Sequence, residues 1–286
     1  MNLLEAEAAL KQRLTALYDE AEAASIADWV MESLTGKSKV QRRLDGAGTL
    51  AQEEAAVLEN YTAELLAHRP VQYVLGESYF YGMKLFVDER VLIPRPETEE
   101  LADWAVGDLK ASVPSAVRVL DIGTGSGCLA LAVAKAVRGA RVTAVDISVD
   151  ALDVARYNAA REQVPLELLQ ADILSGQAGT LPVFDVIISN PPYITRPEQQ
   201  SILPHVLDYE PHSALFVTDG DPLQFYKAIE QFAREHLAPG GTVYLELHRD
   251  FAQETLRYYE GCGWTAILRK DMQGADRMLR CRRPSG

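Results

Sequence analysis

The chain has 286 residues, 48% of them apolar and 24% charged, with a formal net charge of −13 at pH 7. This is the balance of a globular protein with room for a large domain beside a small one, and no apolar run reaches the ~18–20 residues of a membrane span. The acidic excess works against a nucleic-acid partner, because such binding draws much of its affinity from Lys and Arg neutralising phosphates.

The N-terminal stretch MNLLEAEAALKQ has neither the basic flank nor the apolar run of a secretory signal. From there to Pro70 the pattern is helical. Leu10, Leu14 and Leu17 recur at helical spacing, as do Ile26, Val30 and Leu34, with Gly36 as a stop. Thr49 followed by Gln52 predicts a capping box, and Val57, Leu58, Tyr61, Leu65 and Leu66 continue the apolar stripe. This segment names no chemistry of its own.

The next stretch, YVLGESYFYGMKLFVDERVL, is rich in β-branched and aromatic residues and turns at Gly82, which predicts a β-hairpin linker over residues 73–95. The expected domains are therefore a helical bundle over 1–72, this linker, and a catalytic domain over 96–286. The join is placed in IPRPETEE, which leads into an amphipathic helix through Leu101, Trp104 and Ala105.

Beyond residue 116 strand-like runs alternate with helices: VRVLDIG, RVTAVDIS, LELLQAD, FDVIISN and GTVYLEL, with two closing strands around Gln273-Gly274. Alternation of this kind predicts a parallel sheet covered on both faces. Ligands of such sheets bind at the carboxyl ends of the strands, where Asp121, Asp146, Asp172 and Asn190 fall.

The first of these ends carries Gly123-Thr124-Gly125-Ser126-Gly127, a G-x-G-x-G spacing that lets a ligand approach the backbone. Asp146, about twenty residues on, suits two ribose hydroxyls. Asp172 suits an adenine amine. Both NAD and S-adenosylmethionine fit this much. The missing third glycine of a pyrophosphate turn, and an acidic Asp121 beside the loop, favour the positively charged methyl donor.

The fourth strand ends in Ser189-Asn190-Pro191-Pro192-Tyr193. Proline fixes its own φ and restricts the residue before it. Amides and aromatic amines are poor nucleophiles, because their nitrogen lone pair is delocalised. Asn190 Oδ1 and the Pro191 carbonyl could accept from both N–H groups of such an amine, held still by Pro191 and Pro192, with Tyr193 stacked on the planar group. The loop alone does not separate adenine from a glutamine amide.

The whole chain resembles the HemK/PrmC family, methyltransferases of the glutamine amide of peptide chain release factors. The resemblance rests on the helical N-terminal region, QYVLGESYFYG, VDERVLIPRPETEEL, LDIGTGSG, Asp146, SNPPYI, Glu210-Pro211 and KDMQGADRML. It implies a class I S-adenosylmethionine-dependent methyltransferase fold: α/β, Rossmann-like, with a seven-stranded mostly parallel sheet and a small N-terminal α-helical domain that helps dock the substrate. It implies that Asp121 and Gly123 to Gly127 line the methionine end of the donor, that Asp146 and Ile147 hold its ribose, and that Asp172 and Ile173 hold its adenine. Asn190, Pro191, Pro192 and Tyr193 would hold the glutamine of a Gly-Gly-Gln motif, with Asn190 also near the methyl group and S-adenosylhomocysteine the product. One position departs from the family pattern, His248 standing where a glycine is usual after the strand YLEL.

The remaining candidates are quieter. Cys128, Cys262 and Cys281 are too far apart for a disulfide framework or a zinc site, and with the sequence's start they predict a cytoplasmic enzyme. Cys128 sits at a helix start but reads as a small buried thiol. The five histidines, His68, His205, His212, His236 and His248, show no metal-ligand spacing, so no metal is expected. Residues 195–217 read as a long loop of the kind that forms lids. A monomer is expected, acting on release factors with no membrane and no direct nucleic-acid contact. The rival readings are an adenine amino methyltransferase on DNA or RNA, and a non-catalytic release-factor or ribosome-binding protein that keeps the fold.

Overall fold

Short-range hydrogen bonds set the helices of the N-terminal segment. In the computed structural model, which describes residues 1–45, 48–112, 116–175, 181–217 and 220–283, Asn2 and Glu5 cap α1 (Leu3–Leu14) reciprocally. Asp19 accepts from the amides of Ala21 and Glu22 to start α2 (Glu20–Thr35), and Gly36, at φ 65°, ends it. Two short helices, α3 (Lys39–Leu44) and α5 (Val71–Leu75), flank α4 (Gln52–Leu66). Leu3, Leu10, Leu14, Ile26, Val30, Met31, Leu58 and Leu65 form the core of this bundle.

Three local expectations need correcting here. α1 stops at Leu14, before Asp19 caps the next helix, so Leu17 lies outside the helix and is 40% exposed. Thr49 does not cap α4. It bridges Asn2, and the helix starts after Ala51, whose amide donates to the Glu54 carboxylate. Tyr73, Val74 and Leu75 are helical rather than strand: Pro70 opens α5 and Gly76, at φ 64°, closes it.

The chain divides into two compact units, Met1–Glu77 with Leu203–Tyr209, and Ser78–Ile202 with Glu210–Gly286. The hairpin and the IPRPETEE segment therefore group with the sheet, and the boundary falls near residue 77 rather than within 93–100. The hairpin itself is brief: β1 (Ser78–Phe80) pairs antiparallel with β2 (Met83–Leu85) around Tyr81-Gly82.

In the second unit α6 (Pro96–Ser112) precedes the alternation β3 (Val117–Ile122), α7 (Cys128–Ala136), β4 (Ala140–Asp146), α8 (Val149–Glu162), β5 (Glu167–Gln170) and β6 (Phe184–Ser189). Two short helices come next in the chain, α9 (Pro204–Leu207), which groups with the first unit, and α10 (His212–Leu215). They are followed by α11 (Gln224–His236), β7 (Leu237–Glu246), α12 (Ala252–Gly261), β8 (Thr265–Lys270) and β9 (Asp276–Arg282). The seven-stranded sheet has the order β5-β4-β3-β6-β7-β9-β8. Its first five strands are parallel, and β9 pairs antiparallel with β7 and β8.

Continuous apolar strands suit burial on both faces. Along β3, β6 and β7 alternate residues supply two cores: Val119, Ile188 and Tyr244 face α6 and α7, while Leu120, Ile187 and Val243 face Tyr226, Ile229 and Tyr259 of α11 and α12. The order reverses between β3 and β6, since the chain runs out through β4 and β5 and returns to the other side of β3. A crevice opens at the carboxyl ends there. Ser189 Oγ donates to the Ile122 carbonyl at 2.7 Å and locks the two strand ends together.

Candidate active site

At the end of β3 the chain must turn sharply into α7. Gly127 does this at φ 83°, a conformation that strains any other residue, and a Cβ there would sit tightly, 3.3 Å from that of Ala155. Asn158, fully buried on α8, donates to the carbonyls of Ser126 and Phe86 and accepts from the Phe86 amide. One side chain thus fastens the glycine loop to the segment that follows the hairpin.

Asp146 ends β4. Its Oδ2 accepts from the Gly125 amide at 2.9 Å and its Oδ1 from the Ser148 amide at 2.9 Å. Burial raises its pKa, and the amides of Ser148, Gly125 and Ile147 oppose the rise. A carboxylate carries about four lone-pair sites, so both oxygens can still accept from a ligand. Asp172 spends Oδ1 on the Leu174 amide, at 2.8 Å.

Asp121 is fully buried. Its Oδ2 accepts from Thr124 Oγ1 at 2.7 Å and from the Ala130 amide at 3.2 Å, while Oδ1 has no partner among the described residues. Burial pushes its carboxyl up to about 7, against these hydrogen bonds. A cation close to the free oxygen would favour the charged form. The nearby Cys128 is no nucleophile: burial, with Asp121 beside it, pushes its thiol up to about 12.

At the end of β6, Asn190 Nδ2 donates to Thr98 Oγ1 at 3.1 Å, and Thr98 Oγ1 donates to Glu246 Oε2 at 2.6 Å. Tyr193 reaches the other oxygen of Glu246 with its hydroxyl, a long contact of 3.4 Å, and its ring meets His248 edge-on at 5.7 Å. Burial pushes the Glu246 carboxyl up to about 7, with Thr98 and Arg277 pulling it down and Glu97 pushing it up.

A cavity of about 310 Å³ lies over these strand ends. Gly123, Gly125, Asp146, Ile147, Asp172, Ile173, Asn190, Pro191 and Pro192 line it. Asp121, Thr124, Ser126, Gly127 and Tyr193 do not. Thr124, Ser126 and Gly127 belong to the glycine loop but point no atom into the lining, Asp121 is fully buried in β3, and Tyr193 has its hydroxyl on Glu246. Walls absent from the sequence reading come from Arg90, Val91 and Leu92 of the post-hairpin segment, from Pro211, Ala214 and Phe216, and from Phe225. Arg90, Val91 and Leu92 fall in the motif VDERVLIPRPE and Pro211 in Glu210-Pro211, while Pro211, Ala214 and Phe216 fall in the lid-type segment 195–217. The structure joins the two motifs: buried Glu210 accepts from the Ile93 amide and pairs with Arg95, holding the two segments together.

This geometry meets a consistent set of relatives. Residues 5–76 match the PrmC N-terminal domain family and residues 106–209 the methyltransferase small domain family. A release factor glutamine methyltransferase of Flavobacterium psychrophilum is 38% identical over 94% of this chain and 95% of its own length. One from Chlorobaculum tepidum is 40% identical over 89% and 88%. The chain belongs to the release factor glutamine methyltransferase family. A methyltransferase of Pyrococcus furiosus, 20% identical, covers 79% of this chain and 99% of its own, with a TM-score of 0.53, and shows the shared class I methyltransferase fold.

Within this family member the segment read as a long lid-type loop, residues 195–217, contains short helical elements. It contains a 3-10 turn at Arg196–Ser201, α9 and α10, and Ile194 forms a parallel bridge with Phe216. His248 ties the 3-10 turn to the end of β7, with Nε2 2.8 Å from Glu198 Oε1 and Nδ1 accepting from the Asp250 amide. Glu198, His248 and Asp250 bring metal-ligand atom types within 4.8 Å of one another, a grouping that histidine spacing alone did not disclose. Both ring nitrogens of His248 already have protein partners. Among the described residues no helix is long and apolar enough to cross a membrane.

Proposed function

We propose that this chain transfers a methyl group from S-adenosylmethionine to the side-chain amide nitrogen of the glutamine in the Gly-Gly-Gln motif of peptide chain release factors. The observation that carries the reading is Asn190. Its Nδ2 is committed to Thr98, which leaves Oδ1 as an acceptor for the cavity that Asn190 lines, opposite the Gly123–Gly127 loop and Asp146. The family relatives are named release factor glutamine methyltransferases.

The residues present fit the donor. The unpartnered, buried Asp121 Oδ1 suits a neighbouring positive charge, Asp146 retains lone pairs for the ribose, and Asp172 Oδ2 is left for the adenine amine. When bound, S-adenosylmethionine supplies an electrophilic methyl group. The protein's part is to bind and align. Asn190 Oδ1 and the Pro191 carbonyl accept from the two N–H groups of the glutamine amide, turning its nitrogen lone pair out of conjugation and toward the donor. Pro191 and Pro192 keep both acceptors in place, so little reorganisation remains at the transition state. Tyr193 serves from behind, through its hydroxyl on Glu246.

We assign the enzyme to the cytoplasm, as a monomer acting on protein rather than nucleic acid. Its three free thiols support the compartment, and its net charge of −13 supports a protein rather than a nucleic-acid substrate. Methyl-labelled S-adenosylmethionine offered with either a release factor or DNA tests the substrate class. Label is expected in the release factor, and label in DNA alone would contradict the assignment.

A further inference from the structure

Asn190 can act as an acceptor only if its amide is held one way round. The two ends of an amide have nearly the same shape, so packing alone does not choose between them. Here the choice is made by hydrogen bonds that begin at a carboxylate. Glu246 ends β7 and is 1% exposed, and Thr98, in the first turn of α6, is 2% exposed. The Thr98 hydroxyl has a single hydrogen, and at 2.6 Å it is given to Glu246 Oε2. The oxygen of Thr98 is then left with lone pairs alone, so it receives a hydrogen from Asn190 Nδ2, at 3.1 Å.

We infer that Glu246 and Thr98 are positioning residues that set the polarity of Asn190, fixing Oδ1 rather than Nδ2 toward the substrate amide. The inference rests on the reading of Asn190 as the residue that accepts from the glutamine N–H. Glu246 uses its other oxygen on the Tyr193 hydroxyl, so one buried carboxylate orders both polar members of Asn190-Pro191-Pro192-Tyr193. The charges around it are Arg277, which attracts, and Glu97, which repels. Without the carboxylate, the Thr98 hydrogen would be free to go to Asn190 Oδ1. The amide would turn over and present two N–H donors to a substrate nitrogen that also carries N–H groups.

This role differs from simple packing in what each substitution should do. Thr98→Val keeps the shape and removes the hydroxyl, Thr98→Ser restores it, and Glu246→Met removes the carboxylate at similar chain length. Thr98→Val and Glu246→Met should each lower kcat about 10- to 100-fold, a fraction of the loss typical of deleting a transition-state hydrogen bond outright. The dissociation constant for S-adenosylmethionine and the KM for the release factor should change less than about twofold, because the cavity walls and docking surfaces are intact. Thr98→Ser should recover most of the kcat.

Steady-state kinetics with calorimetry of donor binding reads all of this, with Asn190→Ala measured alongside. A Thr98→Val enzyme within twofold of the parent, beside an inactive Asn190→Ala, would overturn the positioning role and leave the Asn190 reading intact. Equal impairment of Thr98→Val and Thr98→Ser would also overturn it, reducing Thr98 to a packing residue. A fully active Asn190→Ala would remove the reading on which the inference rests. If Thr98→Val fails to fold, Thr98→Ala, which also lacks the hydroxyl, carries the same comparison with Thr98→Ser.

Discussion

Asn190→Ala is expected to lower kcat by about 10²- to 10³-fold, the loss seen when one preorganised hydrogen-bonding group is removed from a transition-state site. Donor affinity should stay within about threefold, because the groups proposed to hold the donor are Asp146, Asp172 and the glycine loop rather than the β6 end. The size follows from what the side chain does. Asn190 Oδ1 is one of two acceptors proposed for the glutamine N–H groups, and truncation leaves only the Pro191 carbonyl. Binding of the release factor is spread over a protein-sized surface and should survive, so the defect falls on kcat. Stopped turnover with a normal donor isotherm is the expected pair of measurements.

Asp146→Ala should weaken S-adenosylmethionine binding by about 10²- to 10³-fold, since hydrogen bonds to a charged group contribute roughly 1.5–3 kcal/mol each. Two effects add here. The ribose acceptors disappear, and the Gly125 amide loses its anchor at 2.9 Å, so the loop that carries Gly123 to Gly127 is less fixed. Calorimetric titration of the variant with S-adenosylmethionine and with S-adenosylhomocysteine measures the loss. Parallel losses for both ligands are expected, because they share the ribose. Ordinary affinity for both would remove Asp146 from the donor site.

The contrast between these residues and Thr98 shows what the sequence makes legible. Asp146 and Asn190 end apolar strands, and in a parallel doubly covered sheet the strand ends are where ligands sit. Period and position therefore suffice to find them. Thr98 and Glu246 lie far apart in the chain and meet only because the start of α6 packs beside the end of β7. Glu246 did leave one trace, a carboxylate closing the apolar run TVYLEL, but a trace of burial does not identify its partner. Tyr193 shows the complementary limit. Its place after Pro192 was plain, yet whether the ring or the hydroxyl does the work depends on where Glu246 stands.

The fold divides in the same way. The parallel central strands β3, β4, β6 and β7 follow from two-sided burial, which writes itself into the sequence as unbroken apolar runs. Tyr73-Val74-Leu75 did not, because β-branched and aromatic residues serve a short buried helix as well as a strand, and the deciding signals were the flanking Pro70 and Gly76. The cavity walls from Val91, Leu92, Pro211 and Phe216 carry no periodic pattern. They are brought together by buried Glu210, whose partners, Ile93 and Arg95, lie in another segment.

The central claim is that this site presents a glutamine amide nitrogen to a methyl donor. Mass spectrometry of a release-factor digest, taken before and after incubation with the enzyme and S-adenosylmethionine, tests it most directly. The account predicts one added methyl group, localised by fragmentation to the glutamine side chain of the Gly-Gly-Gln peptide and formed about 10²- to 10³-fold more slowly when Asn190→Ala replaces the parent enzyme. An unmodified glutamine, or a methyl group found on another residue, would contradict it.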